Sequence, residues 1–448
     1  MKCFLKQGTS KVDECSFFSG YFFDGLRMYQ GEEAIRLLKN RDGSIKNKVS
    51  SLYGSFFYIF TDEADRSYLV TDWVRSRPLF YTYSSEGELL ISDVDSLPKL
   101  YKDHGEIDEE AAIQVKVLSY TVGKRTLLKG VWQIPAGCIL EVFHDKIVSE
   151  ANYIDFLTPE TVSRTDIYTR LLEAYDRAFD RMIIYLAGRQ ALVPLSGGID
   201  SRFVLQGLVK KGYKNIIAYT YGKEIVGEAV ISQQVARALH VPWKFIYYDP
   251  NEMQKLFRGE NYKKLVRIAG NITSNPIISD WYVLYYLKKN KCIESNAVNL
   301  VGHSAASIGE ELTRKELSDR RTVSMDEAVG LYMQIAAMFT DKTMKYRNHI
   351  LKYLKSELPT KLENLNSIDA YTEMKRLYYF GRHTNYLLNS VKTGVSLGID
   401  WYCPLVDGEI ARIWNLEIPR NLSDRRILYR EIIDKYVGGG RQLAEIQQ

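Results

Sequence analysis

Residues 1–155 contain short runs in which apolar and polar positions alternate, with polar turn signals between the runs. Clear examples cover residues 54–60, 68–71, 79–83 and 89–92. A period of two residues is typical of antiparallel strands that bury one face. The pattern therefore predicts an antiparallel, β-rich domain over residues 1–155.

Apolar runs of strand type alternate with helical patterns in the remainder of the chain, residues 156–448. A long helix is predicted over residues 160–186. Buried strands are predicted at residues 191–195, 215–222, 243–248 and 297–301. Strand and helix in alternation predict a doubly wound parallel sheet, with ligands bound beyond the carboxyl ends of its strands. The expected fold class is α/β, with two domains at 1–155 and 156–448.

The six residues Ser-Gly-Gly-Ile-Asp-Ser at 196–201 join a predicted strand to a predicted helix. Glycines at such a turn let a polyphosphate approach the backbone, and the N–H groups at a helix start point at the anion. Ser196 and Ser201 add hydroxyl donors, and Asp200 is placed to reach a Mg²⁺ ion on the phosphates. The spacing differs from the Gly-x4-Gly-Lys-Ser/Thr of kinase-type loops, so a different cleavage of ATP is expected.

Composition narrows the class of protein. The chain has 448 residues, of which 46% are hydrophobic, enough for two cores. Its 60 basic and 55 acidic side chains are spread along the sequence and give a net charge of +5, so charge predicts no nucleic-acid partner. Five scattered cysteines without a Cys-x-x-Cys pair argue against zinc and disulfides. We expect a soluble cytoplasmic protein, because neither a signal core nor an apolar run of about 18 residues occurs.

The loop at 196–201 resembles that of the pyrophosphate-loop ATPases, which cleave ATP between the α and β phosphates and transfer AMP to a substrate oxygen. In the first domain, residues 52–57, 77–81, 126–130 and 134–137 are similar, in the same order, to landmarks of the glutaminase half of asparagine synthetases. Together with the loop, these landmarks span most of the chain in the order of the family. The sequence therefore resembles the asparagine synthetase-like family, with a truncated Ntn-like first domain.

The first domain departs from the glutamine-hydrolysing members of that family. Those members carry a cysteine directly after the initiator methionine, and its own α-amino group acts as the base. Position 2 is Lys2 here, and only Asp24-Gly25 lies near the place of an expected Asn-Gly pair. We expect that glutamine hydrolysis is lost and that the domain serves as a scaffold, as in β-lactam synthetases.

The resemblance implies an ATP site at the following residues: Leu195, Ser196, Gly197, Gly198, Asp200, Ser201, Tyr219, Gly222 and Gly302. Asp200 is the implied metal ligand, and ATP and Mg²⁺ are the implied cofactors. Packing within a strand is the alternative role for Tyr219, and His303 is either a structural residue or a phosphate contact. Relatives place a second Mg²⁺-binding Asp in the segment where this chain has Ala305-Ala306. Either Glu310 or Glu311 therefore replaces that ligand, or the second Mg²⁺ site is weakened.

Two basic residues in the last part of the chain are the implied catalytic side chains. Lys392 precedes a stretch that matches the family at Pro404 and Asp407. Arg426 occupies the place of a lysine that supports adenylate chemistry in amide-forming members. An arginine keeps the charge that steadies pyrophosphate or an oxyanion, although it is a poorer proton donor. The alternative for the basic cluster around Arg426 is a solvated helix face.

The predicted function is that of an AMP- and pyrophosphate-forming amide ligase. Its partners are a small-molecule carboxylic acid and an amine or ammonia, and one possible assembly is a homodimer. Residues 389–392 and the Gly302-His303-Ser304 sequence resemble a branch encoded with polysaccharide genes, which suggests a cell-surface sugar acid by analogy. A lactam- or macrolactam-forming cyclase and a catalytically silent nucleotide-binding relative are the alternatives. Transfer RNA thiolation ranks last, because the expected cysteines and a basic domain are missing.

Overall fold

The computed structural model describes residues 1–6, 9–13, 15–101, 105–154, 163–303, 322–358, 364–418 and 425–437. Of residues 322, 364–371, 415, 425 and 426 only the backbone is described.

The strands are β1 Lys2–Phe4, β2 Ser10–Asp13, β3 Ser16–Asp24, β4 Arg27–Gln30, β5 Tyr53–Thr61, β6 Ser67–Thr71, β7 Leu79–Tyr83, β8 Leu89–Asp93, β9 Trp132–Gln133, β10 Cys138–Phe143, β11 Lys146–Asn152, β12 Ala191–Pro194, β13 Ile216–Gly222, β14 Trp243–Tyr247, β15 Val298–Leu300, β16 Thr322–Ser324, β17 Asn364–Asn366 and β18 Asp400–Tyr402.

The α-helices are α1 Gly31–Asn40, α2 Ile45–Val49, α3 Glu109–Leu118, α4 Arg164–Leu186, α5 Ile199–Lys210, α6 Glu228–Ala238, α7 Pro250–Phe257, α8 Glu260–Leu265, α9 Trp281–Lys289, α10 Met325–Ala336, α11 Arg347–Ser356, α12 Ser367–Leu377, α13 Leu388–Ser390, α14 Gly408–Arg412 and α15 Arg425–Tyr436. Segments of π-helix cover Val266–Gly270, Tyr378–Leu387 and Ile413–Glu417.

The chain forms two compact units that are interleaved in sequence. The first unit comprises Met1–Thr158, Gly270–Pro276 and Glu311–Asn389, and the second comprises the remaining three stretches, Pro159–Ala269, Ile277–Glu310 and Ser390–Gln448. The predicted boundary at residue 155 lies near the first crossing between the units. The sequence assigned residues 270–276 and 311–389 to the second domain, but both segments belong to the first unit. Helices α10 and α11, in the longer segment, bury their apolar faces in one core with α3. As a division into evolutionary domains, 1–155 and 156–448 stays a prediction.

Two β-sheets build the predicted β-rich part of the first unit. The larger sheet is antiparallel, with strand order β11-β10-β6-β5-β3-β2 and β4 beside β3. The smaller sheet has the order β1-β8-β7-β9 and is antiparallel except for the β1–β8 pair. One apolar core contains Phe57 and Leu69 of the larger sheet together with Leu79 and Ile91 of the smaller one, which fits the alternating sequence pattern. The four strands expected at 54–60, 68–71, 79–83 and 89–92 are confirmed.

The second unit has a five-stranded sheet in which every neighbouring pair of strands is parallel. Its order is β14-β13-β12-β15-β18. The chain winds from β12 outward to β14 and then returns to the other side of β12 at β15, so the winding direction reverses between β12 and β15. The α/β fold class is as the sequence predicts, and the reversal marks the edge where such sheets bind ligands.

A buried ion pair holds the start of helix α14 against the long helix α4. The guanidinium of Arg181 donates two hydrogen bonds to Asp407, of 2.8 Å from Nε and 2.7 Å from Nη2. Asp407 also accepts a 3.0 Å hydrogen bond from the Glu409 backbone N–H at the start of α14. The Asp407 carboxylate raises the pKa of Arg181, although burial by itself lowers it. Asp407 therefore has a structural role.

Candidate active site

The loop between β12 and α5 is folded on itself by its own serines. The backbone N–H of Ser196 donates a 3.1 Å hydrogen bond to the Ser201 hydroxyl, and the two hydroxyl oxygens are 3.1 Å apart. The N–H of Gly198 donates to the Ser196 hydroxyl at 3.1 Å. Helix α5 begins at Ile199, and no side chain caps it at Gly198 in the described structure. The positive end of the helix therefore faces the open side of the loop.

Gly302 follows β15 and lies directly against the first turn of α5. A Cβ atom built on Gly302 would lie 2.7 Å from the Ser201 backbone nitrogen and 2.8 Å from the Asp200 carbonyl carbon. Both distances are shorter than those that real Cβ atoms make, so only glycine fits here without a shift of the backbone. The ends of β12 and β15 thus meet at the reversal point of the sheet.

A cavity of about 420 Å³ opens at this reversal point, within the size range of small-molecule sites. The described residues of its wall all belong to the second unit. They are Pro194, Ser196, Gly198, Ile199, Asp200, Ser201, Tyr221, Ile277, Ser279, Asp280, Val301, Gly302, His303, Ser390, Val391 and Tyr429.

Five of the residues that the sequence assigns to ATP line this cavity, namely Ser196, Gly198, Asp200, Ser201 and Gly302. The other four do not line it. Leu195 and Tyr219 are buried, Gly197 faces helix α6, where a Cβ would lie 3.0 Å from the Glu228 Cγ, and Gly222 lies near the Phe245 ring.

Tyr219 has the contacts of a core residue. Its hydroxyl donates a 3.0 Å hydrogen bond to the Asn299 side-chain oxygen, and burial raises the pKa of Tyr219 well above its usual value. Tyr221, two residues further along the same strand, lines the cavity. Side chains two apart on a strand share a face, so the difference comes from position along the strand and not from direction.

Lys392, one of the two implied catalytic residues, is not among the described residues that line the cavity. Lys392 is buried, and the two residues before it, Ser390 and Val391, form part of the wall. The Arg426 side chain lies outside the described residues, whereas Tyr429 of the same helix is a wall residue.

His303 lines the cavity, and burial lowers its pKa below 6.5. Its imidazole is therefore neutral at pH 7. Residues 305, 306, 310 and 311, on which the question of a second metal site depends, lie outside the described residues.

Asp280 is a wall residue that the sequence analysis missed. It precedes α9 and is half-buried, and its Oδ1 atom accepts a 3.0 Å hydrogen bond from the Thr393 hydroxyl. Burial raises the pKa of Asp280 to about 6, against the opposing effect of hydrogen bonds from Thr393 and Asn299. In a sequence, an Asp just before an apolar helix is ordinarily explained as a helix cap. In the structure, however, the Asp280 side chain makes no capping hydrogen bond.

The first unit shows no activated thiol at the start of the chain. Cys3 lies on β1 at the edge of the core between the two sheets, and burial raises the pKa of its thiol to about 11. A nucleophilic cysteine needs a lowered pKa, so Cys3 lacks the property that glutamine hydrolysis requires.

Comparison with protein families bears on this first unit. Residues 33–154 match a glutamine amidotransferase domain. The match agrees with the antiparallel sheets observed there and supports the glutaminase-like half of the sequence resemblance. It covers well under half of the chain and starts beyond strand β1, which carries Cys3.

Comparison with curated proteins gives no match. Among solved structures, the chain is similar to NMN synthetase from Francisella tularensis at a TM-score of 0.22, with 16% identity over 34% of this chain and 59% of that one. It is similar to the NH3-dependent NAD synthetase from Campylobacter jejuni at 0.22, with 13% identity over 45% of this chain and 100% of that one. It is also similar to the glutamine-dependent NAD+ synthetase from Acinetobacter baumannii in complex with ADP, at a TM-score of 0.21. The identity is 13%, over 70% of this chain and 69% of that one. These similarities are too weak to assign a function.

None of the described helices combines the length and the hydropathy needed to cross a bilayer. The described residues also contain no group of three or more His, Cys, Asp or Glu side chains that could hold a metal ion by themselves.

Proposed function

We propose that the protein is an ATP-dependent C–N ligase of the asparagine synthase type, which adenylates a carboxylate and lets an amine or ammonia displace AMP. The observation that supports this proposal most strongly is the position of the Ser196–Ser201 loop. It lies at the reversal point of the parallel sheet, against Gly302, and borders a cavity of about 420 Å³. Ligands of such sheets bind at this point.

The loop is proposed to bind the outer two phosphates of ATP, which leave as pyrophosphate. The backbone N–H groups at the start of α5 and the hydroxyls of Ser196 and Ser201 supply the donors. The helix dipole of α5 adds a favourable potential for the anion. Holding both phosphates from one side leaves the α phosphorus open to in-line attack by a carboxylate oxygen.

Asp200 is the residue proposed to hold Mg²⁺. This ion is usually bound by one or two carboxylates, with phosphate oxygens and water completing the shell. Asp200 lines the cavity beside the phosphate loop, which fits that pattern. Bound Mg²⁺ would neutralise charge on the phosphates.

Adenylation makes the acid reactive, because a carboxylate oxygen is a poor leaving group whereas AMP is a good one. Lys392 and Arg426 are proposed to stabilise the negative charge that develops on pyrophosphate and then on the tetrahedral intermediate. The acid is proposed to be a small molecule, with a sugar carboxylate as the first candidate by analogy with residues 389–392.

The nitrogen is proposed to come from free ammonia or from an amine, with the first unit as a scaffold. The raised pKa of Cys3 supports this part of the proposal. A cyclase that joins an acid and an amine of one molecule would use the same steps.

Exchange of labelled pyrophosphate into ATP, measured with a panel of carboxylic acids, tests the adenylation step without any amine. We expect exchange that depends on one class of acid, and a loss of at least about a hundredfold in Asp200→Ala. Asp249→Asn is the matched control, because this exposed Asp caps α7, lies outside the cavity wall and carries the same charge.

Tight MgATP binding without exchange against any acid would contradict the ligase and favour a silent nucleotide-binding protein. Exchange followed by ring closure of a single substrate would favour a cyclase.

A further inference from the structure

The Asp280 carboxylate has an unusual setting for a negative charge. It is half-buried in the cavity wall, and its Oδ1 atom accepts a 3.0 Å hydrogen bond from the neutral hydroxyl of Thr393. No described lysine or arginine is among the causes that shift its pKa. The neighbouring titratable side chains, Tyr219, Tyr221 and Tyr248, are neutral phenols at pH 7 because burial raises their pKa values.

The cavity would become strongly negative when a nucleotide binds. Asp200 lines the same space, and a triphosphate adds several charges. Like charges in a partly desolvated site repel, and a buried carboxylate that lacks a partner is costly. A cation beside Asp280 would therefore lower the electrostatic cost of the occupied cavity, in addition to a cation on the phosphates.

The surroundings of Asp280 suit an ammonium group better than a metal ion. Mg²⁺ takes part of its shell from phosphate oxygens, and it is proposed to lie at Asp200 beside the phosphate loop. An ammonium needs only hydrogen-bond acceptors around one charge. Ser279 and Ser390, which also line the cavity, add hydroxyl oxygens to the carboxylate.

We propose that Asp280 binds the nitrogen donor as a cation, so that the second substrate is ammonium or a primary ammonium group and not an amide nitrogen. This inference rests on the proposed ligase function and specifies its nucleophile. Thr393 is a positioning residue, because its hydrogen bond fixes the Oδ1 atom of the carboxylate.

The reaction balances with this assignment. The bound R′–NH3⁺ gives one proton to the Asp280 carboxylate, and the freed lone pair attacks the acyl carbon of the adenylate. The bond from that carbon to the AMP oxygen breaks, and AMP leaves with the electron pair. The second N–H proton and the proton on Asp280 pass to solvent, so that acyl adenylate and R′–NH3⁺ give amide, AMP and two protons.

The experiment uses the full chain with MgATP and methylammonium chloride as the probe, at an ionic strength kept constant with tetramethylammonium chloride. Tetramethylammonium has the same charge but no N–H donor. Saturation-transfer NMR on the methyl signal gives the dissociation constant. We expect that this constant rises at least about tenfold in Asp280→Asn and less in Thr393→Val, since a hydrogen bond to a charged group is lost or weakened. Asp249→Asn should match the wild type.

Three results would overturn the proposal. The wild type could fail to prefer methylammonium over tetramethylammonium, or Asp280→Asn could bind methylammonium as well as the wild type does. In the third, Asp280→Asn would weaken the binding of MgATP as much as the binding of methylammonium, which would show that Asp280 contacts the nucleotide. Acid-dependent pyrophosphate exchange needs no amine, so a failure of the ligase proposal would appear separately as exchange that is absent while methylammonium still binds. Thr393→Val supplies the test if Asp280→Asn does not fold.

Discussion

Gly302 and Ser201 are in such close contact that a methyl group on Gly302 would lie 2.7 Å from the Ser201 backbone nitrogen. This contact joins the loop after β15 to the first turn of the phosphate-loop helix. The peptide group that carries the Ser201 N–H is therefore positioned by a residue about a hundred positions away in the sequence.

Gly302→Ala is expected to weaken MgATP binding at least about tenfold, because the added Cβ pushes the first turn of α5 out of place. Titration calorimetry measures the effect. Gly330→Ala is the matched control, since Gly330 lies inside helix α10 with open space around it and should gain slight stability. Unchanged MgATP affinity in Gly302→Ala would show that the loop adapts to the contact.

Asp407→Asn is expected to lower the free energy of unfolding by about 1.5–3 kcal/mol, because it removes one of the two carboxylates that bind the buried Arg181 guanidinium, while Glu409 keeps its 2.9 Å hydrogen bond. Denaturant unfolding measures the change. Arg164→Ala is the control, since it removes the exposed ion pair with Glu431 and should cost no more than about 1 kcal/mol. Equal effects of the two variants would argue against a structural role for Asp407.

Glutamine is expected to yield no glutamate above background, with or without ATP. The thiol of Cys3, with a pKa of about 11, is almost entirely protonated at pH 7.5 and should react slowly with iodoacetamide. Mass spectrometry measures the rate against that of the exposed Cys15. Fast alkylation of Cys3, or glutamate release that Cys3→Ala abolishes, would contradict the prediction that glutamine hydrolysis is lost.

Asp280→Asn is expected to increase the free energy of unfolding by about 1 kcal/mol at pH 7.5. The folded pKa of about 6 lies above the unfolded value, so the charged carboxylate costs stability above pH 6, and this cost disappears as the pH falls towards 4. Asparagine keeps an acceptor for Thr393 without the charge. Urea unfolding at pH 7.5 and pH 4 measures the difference, with Asp249→Asn as the control for charge.

A less stable Asp280→Asn at pH 7.5 would show that the carboxylate has a stabilising partner in the fold. A gain in stability would fit a residue that is retained for ligand binding at the expense of stability.

Local patterns predicted a large part of the structure. The strands at 54–60 and 79–83 and the helix before the loop are present because their apolar spacing matches one buried face. The interleaving of the units was not predicted, because the helical pattern at 325–358 shows which face is apolar but not which core covers it. The segment forms the helices α10 and α11, which pack with α3 of the first unit.

The sequence by itself determined the strand-turn-helix of residues 196–201, because glycines, serines and an apolar run act over a few residues. The tertiary structure alone decided that Gly302 approaches Ser201, that Tyr219 packs in the core and that Asp280 faces the cavity. Those positions depend on which strands become neighbours and on how deeply each side chain is buried. Such long-range packing has no counterpart in the local spacing of residues.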